Sequence, residues 1–536
     1  MNKTCKKLLI AGLVGLTALG FAGCGGGGGG GAASGAKSGA ASGAKASGDT
    51  LKVGVTNFAD SLDPTENYFG WVVMRYGIGE ALFKFDEKMV PQPWLAESAT
   101  LADDHVTWTI KINDKAKFSN GKKVDAAAVK ASIERTFEKS DRAKTFFEYD
   151  EMKAEGQNLI IKTKKPIAAL KGMLADPLFI IVDASEKDRD YRTKGPIATG
   201  PYVVTSFKKE LCKLDANPNY WNGEVPFKHV EVPSIDDPNT RAMSLQSGET
   251  DVIVNVSPGD LTLFQDKGKY TISEIASLRD VLARLNVAEG HPMHDKKVRE
   301  ALISACDRKT YCEVLLKGQF IPGGPAIPPS LDYGFDQLKD PNDYNVDRAN
   351  KLLDEAGWVK GADGIREKDG KKLEMTFVYY TSRAELPMFA EATQSSAKQV
   401  GIDVKLQAVD YNVLDGMAKK GEYDLCISNI LTANTGDPQI FMDWYWKTNV
   451  DGSNPQNGSG YSNPEYDALS DQLAGEFDAA KRRDIIIKME KILLDDAATL
   501  VFGYPKTNMV YSNKVTGAKI LPADYYWITP DIKPAK

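Results

Sequence analysis

Two hydrophobic periods take turns along this chain. Residues 51–55 form a short apolar run, and residues 107–112 set Thr107, Thr109 and Lys111 on one side against Trp108, Ile110 and Ile112 on the other, so both read as strands. After Asp125, a natural N-cap, the spacing becomes four: Val129, Ile133 and Phe137 make the stripe of an amphipathic helix. A helix dense in aromatics is predicted over 68–82, with Tyr68, Phe69, Trp71 and Tyr76. Strands at 202–207 and 211–215 flank the turn Lys208-Lys209-Glu210, with Gly195-Pro196 and Gly200-Pro201 stiffening the entrance. Strands at 230–233 and 250–254 enclose a helix at 238–247.

The second half alternates in the same way. A strand at 281–286 precedes a helix at 297–305, and a helix at 347–356 stopped by Gly357 precedes a strand at 373–380. A helix reaching Val400 and stopped by Gly401, strands at 402–409 and 423–430, a helix opened by Asn463 and Pro464, a helix at 479–494 and a strand at 499–504 complete the series. Strands and helices in regular alternation predict an α/β protein. About 490 residues of such pattern are too many for one core, so two or more lobes are expected.

The first 49 residues follow neither period. Lys3, Lys6 and Lys7 precede the apolar run 8–19, and Ala22-Gly23 stands before Cys24, which reads as a lipoprotein signal peptide over 1–23 with Cys24 as the lipidated residue. Residues 24–49, glycine-rich and then Ala, Ser, Gly and Lys, form a flexible tether. A diacylated cysteine holds a protein firmly at a membrane, and no later apolar run is long enough to span one. The expected location is therefore extracytoplasmic, anchored to the bacterial cell membrane. A net charge of −6 argues against a nucleic-acid partner. Cys212, Cys306, Cys312 and Cys426 are too widely spaced for a metal motif and are expected as buried thiols. His291 and His294 lie on a proline-containing loop, so neither a metal site nor a cofactor is expected, and the absence of GxSxG, P-loop and HExxH patterns argues against an enzyme.

Residues 195–221, GPIATGPYVVTSFKKELCKLDANPNYW, resemble the GTGPY…N.YW segment of the family 5 extracellular solute-binding proteins, the peptide, opine and nickel receptors of bacterial ABC importers. The run WLAESATL…WTIKINDKAKFSNGKKVDAAAVKASIERTF matches a further family signature, with Ala128 where Asp is usual; DDPNTRAMSLQSGETDVIV and GYSNPEYDAL match others. The resemblance implies a type 2 periplasmic-binding-protein fold: two lobes, a third subdomain inserted into the first, and a ligand cleft between lobes. It places lobe I at 50–283 plus 501–536, with the insertion at about 86–194, and lobe II at 284–500. The expected activity is capture of a small peptide or peptide-like solute and delivery to an ABC permease, by a monomer. Import of nickel or another metal as an organic chelate is the alternative, as is a surface sensor that does not transport.

Ligand contacts are expected at named positions. In the resembling family the loop before the first helix faces the cleft, which makes Tyr68 and Phe69 candidates. Arg284 is a charge in an apolar strand, so it either pairs with an acid or faces the cleft. Arg383 follows the carboxyl end of a strand, where ligands bind in such sheets, and dipeptide-binding members use an arginine there for the peptide carboxylate. Thr432, Asn434 and Asp437 form the loop after the next strand; Asn434 stands where peptide-binding relatives have an aspartate for the amino group, so it offers no charge. Trp444 and Trp446 suit stacking on a ligand or plain packing.

Overall fold

The computed structural model describes residues 48–56 and 59–535. The leader, Cys24 and nearly all of the tether lie outside the described residues. The framework is a curled twelve-stranded mixed sheet. At one end, Thr50–Gly54 runs parallel to His229–Pro233 and to Val252–Val254, and the hairpin Tyr202–Lys208 and Leu211–Ala216 extends that edge. At the other, Glu374–Tyr380 lies parallel between Asp403–Val409 and Leu425–Leu431. Helices cover these strands, as parallel pairing requires.

The two ends meet on Thr499–Ser512. This strand pairs antiparallel with Arg279–Leu285 through its first residues and with Val252–Val254 and Tyr270–Ala276 through its last. The strand expected over 499–504 stops short of Pro505, which has no N–H to give. In fact Pro505 only accepts, its carbonyl taking the Ser277 N–H at 2.9 Å, and the strand continues for eight more residues to Ser512.

The predicted corner forms. Gly200 donates its N–H to the Ile78 carbonyl at 3.1 Å, and a Cβ there would stand 2.3 Å from the Gly77 oxygen, so no other residue fits without movement. Tyr220 and Trp221 then donate to the buried Glu80 carboxylate at 3.0 and 2.8 Å, pinning the corner to the segment behind the first helix. That helix is shorter than its aromatic content predicted. It covers only Gly70–Arg75, because Gly77 adopts φ +68°, which ends the helical run. A separate four-stranded antiparallel sheet built from residues 96–163 packs under the helix Ala126–Lys139. Asp125 caps that helix, accepting the Ala128 N–H at 2.8 Å, and Val129 and Ile133 face the core.

Cys212, Cys306, Cys312 and Cys426 are free and buried. Among the described residues, no helix is long and apolar enough to cross a membrane, and no His, Cys, Asp and Glu cluster suits a metal ion.

Candidate functional site

A cavity of about 220 Å³ opens beyond the carboxyl end of Leu425–Leu431, the place where open α/β sheets bind ligands. One wall comes from the first half of the chain: Tyr68, Trp71, Arg142, Phe146 and Asp176. The other is the loop carrying Thr432, Asn434 and Asp437, followed by the helix Gln439–Trp446. Ile440, Phe441, Trp444 and Tyr445 of this helix recur at spacings of four, which sets them on one face toward the cavity. Trp446 falls on the opposite side and is buried against Phe441 and Tyr445, with ring centroids 5.2 and 5.9 Å away.

The two walls touch. Asn434 Nδ2 reaches Asp176 Oδ2 at 3.5 Å, a long contact between residues 258 apart in sequence. A Cβ on Gly172 would lie 1.8 Å from the Thr435 carbonyl oxygen, so the small residue is what lets these segments approach. His105 stacks on Phe477 with centroids 4.8 Å apart, a third contact between distant segments.

Arg142 is the most exposed to chemistry of the cavity's charges. Its Nε and Nη2 are buried without a hydrogen-bond partner, and its guanidinium lies 4.4 Å from the centroid of the Tyr68 ring. A cation with two buried donors unspent favours an anionic partner. Asp176 stands beside it, accepting the Leu178 N–H at 2.9 Å; burial raises its pKa, against the pull of Arg142. Neither residue carries a sequence signal. Only the fold brings the segment around Arg142 to the loop 432–438.

The residues singled out from sequence are distributed unevenly. Tyr68 and Trp444 are 53% and 45% exposed and line the cavity, with Thr432, Asn434 and Asp437. Thr432 gives its hydroxyl to the Leu278 carbonyl at 2.8 Å, and the Asp437 carboxylate is held by Arg482 at 2.7 Å and by the Gln439 N–H at 2.9 Å, so both are engaged by the protein itself. Phe69 is buried in the core and does not line the cavity, because it precedes a helix whose other face meets the cleft. Arg284 meets neither an acid nor the cavity: its guanidinium lies 5.0 Å from the Tyr445 ring and its Nη2 is 3.6 Å from Cys426 Sγ. Arg383 lies outside the lining, in the turn before the helix Glu385–Gln399. His291 is bonded to Asp424 at 2.8 Å and His294 to the Val287 carbonyl at 2.9 Å, uses that fit a structural loop.

Comparison with known proteins supports this architecture. The family model of the bacterial extracellular solute-binding proteins, family 5 (middle region), matches residues 90–453. The nickel-binding protein NikA of Staphylococcus aureus (strain NCTC 8325 / PS 47) is 27% identical over 487 residues, covering 90% of this chain and 94% of that protein. The probable D,D-dipeptide-binding periplasmic protein DdpA of Escherichia coli (strain K12) is 27% identical over 430 residues, 78% of this chain and 80% of that one. The crystal structure of a nickel ABC transporter protein from Bacillus halodurans superposes with a TM-score of 0.79 at 27% identity, covering 90% of this chain and 99% of that one. With a matching model over most of its length and the curled mixed sheet and cavity described above, this chain belongs to the family 5 bacterial extracellular solute-binding proteins.

Proposed function

We propose that the protein captures a small peptide or peptide-like solute in the cavity beside Arg142 and delivers it to the permease of an ABC importer. The observation that carries this reading is the Arg142 guanidinium, with two buried donors unspent in a cavity walled by aromatic rings. A carboxylate offers that fork two oxygens in one plane. At about 220 Å³ the cavity suits a solute below the usual drug-sized range, on the scale of a dipeptide. Asp176 and the Asn434 side chain meet across the cavity from its two walls and suit an amino group; Asp437 is held by Arg482 and is not available for one. Arg142→Gln is expected to weaken binding about tenfold or more, since a hydrogen bond to a charged group contributes roughly 1.5–3 kcal/mol. Native mass spectrometry of the purified protein identifies the co-purified solute, and calorimetry with that solute measures the loss; unchanged affinity in Arg142→Gln overturns the reading.

A second reading is favoured by one observation. No carboxylate lining the cavity is left free for a peptide's ammonium except the buried Asp176, whereas Arg142 and the rings of Tyr68, Trp444 and Tyr445 suit a metal held in an organic chelate. A metal isotope pattern in the mass spectrum decides for it. In either case lipidated Cys24 anchors the protein outside the cell membrane, and Cys24→Ala is expected to release it into the soluble fraction.

A further inference from the structure

Trp71 brings an indole to the cavity wall with its N–H unspent. It sits in the first turn of the helix Gly70–Arg75, and its Nε1 is buried with no hydrogen-bond partner among the described residues. Packing fixes the ring on three sides. Tyr68 and Tyr525 stand 5.5 and 5.7 Å from it, centroid to centroid, and the Arg75 guanidinium lies 5.3 Å away, itself tied to Asp524 at 2.6 Å. An indole held in this way keeps its N–H where it is and cannot turn toward another acceptor.

A buried donor left unpaired costs free energy, and native interiors seldom keep one without cause. The acceptors of the cavity do not answer it: Asp176 accepts from Leu178 and Asn434, and Asp437 from Arg482. With the two walls in contact solvent does not reach Nε1 either, so its partner has to come from whatever the walls enclose. The unspent edge of Arg142 is close by, since both groups pack on the Tyr68 ring, the guanidinium 4.4 Å and the indole 5.5 Å from its centroid. Their demands differ. Nε and Nη2 of Arg142 form a charged fork that matches the two oxygens of a carboxylate, whereas the indole N–H is a single neutral donor that suits an uncharged acceptor.

We propose that Trp71 is a specificity-determining residue, its N–H donating to the carbonyl oxygen of the peptide group that precedes the carboxylate held by Arg142. The inference rests on the reading of the cavity as the solute site. At the end of any peptide that carbonyl is the first acceptor beyond the carboxylate, about one residue's length away. A free amino acid has no such oxygen. The solute class is thereby narrowed to peptides and other N-acylated amino acids, and away from free amino acids and the chelates built from them.

The test is calorimetry of the purified protein with Ala-Ala and with its thioamide analogue, in which sulfur, a weaker acceptor, replaces only the carbonyl oxygen. The oxygen form is expected to bind roughly two- to tenfold more tightly, the scale of one neutral hydrogen bond. Trp71→Phe keeps an aromatic ring and removes the N–H. It is expected to abolish that preference while leaving the thioamide's affinity unchanged. Should this variant not fold, the indole N–H resonances of the wild type give the same answer: one of the eight is expected to move downfield with Ala-Ala and to move less with the thioamide. Equal binding of the two forms by the wild type, a preference that survives Trp71→Phe, or equal indole shifts overturns the role of Trp71. If both forms still lose affinity in Arg142→Gln, the function proposed for the cavity stands. Failure of both forms to bind overturns both.

Discussion

Two buried carboxyl groups, Asp280 and Glu490, are the least expected residues of the interior. Both oxygens of Asp280 lack a hydrogen-bond partner, and of Glu490 only Oε2 is met, by the Ile327 N–H at 3.2 Å. Burial pushes the Glu490 pKa to about 8, and burial together with Glu490 drives that of Asp280 well above its ordinary value. Because the folded pKa lies above the unfolded one, the protonated form is the one the fold prefers. For Glu490 this contribution to stability is complete below pH 4.5 and is lost as pH rises through about 8, at roughly 1.4 kcal/mol per pH unit. Glu490→Gln keeps an acceptor for Ile327 and removes the titration. It is expected to melt at higher temperature than the wild type at pH 8 and to show a flatter profile between pH 5 and 8; parallel profiles for the two proteins would contradict this. Glu80 differs, since its carboxylate is met by Tyr220 and Trp221 even though burial lifts its pKa to about 7. Legibility at this scale follows the range of the interaction. Asp125 and Asn463 were readable as caps because each accepts from an N–H two or three residues away, whereas Arg142, Asp176 and Asn434 become neighbours only through the fold.

Elements were legible where their ends are chemically marked. Pro238–Ser247, with Asp237 before it and Gly248 in the left-handed region after it, forms over the predicted residues. The helix read over 68–82 did not form whole, since an aromatic run says how much area is to be buried and nothing about φ at Gly77. The short helix Leu170–Met173 shows how an element of four residues governs function. Its Gly172 meets Thr435 with no room for a methyl group. Gly172→Ala is expected to hold the two walls apart while leaving each intact: a clash costing about 2 kcal/mol in the approached state lowers its population and the apparent solute affinity roughly thirtyfold. Calorimetry alongside small-angle scattering checks this. Wild-type affinity with an unchanged radius of gyration would show that the segments separate freely without consequence.

For the whole molecule, class and topology were within reach of the sequence because strands and helices alternate at readable spacing, and the family motifs fix their order. The continuity of Thr499–Ser512 was not, because a proline inside a strand argues for its end until the neighbouring strand is known to need only its carbonyl. Since this one strand is a ladder partner in both halves of the sheet, a chain stopped after Ala498 is expected to lose both. Thermal unfolding followed by circular dichroism should then show no cooperative transition, and a surviving transition would mean that one half is stable without it.

The position of that strand in the sequence sets a schedule. Every segment it joins is made earlier, so a chain delivered amino end first remains two unclosed half-sheets until about the last forty residues emerge. Postponed closure keeps such a chain threadable for as long as it is being translocated, and completes both halves together on the far side.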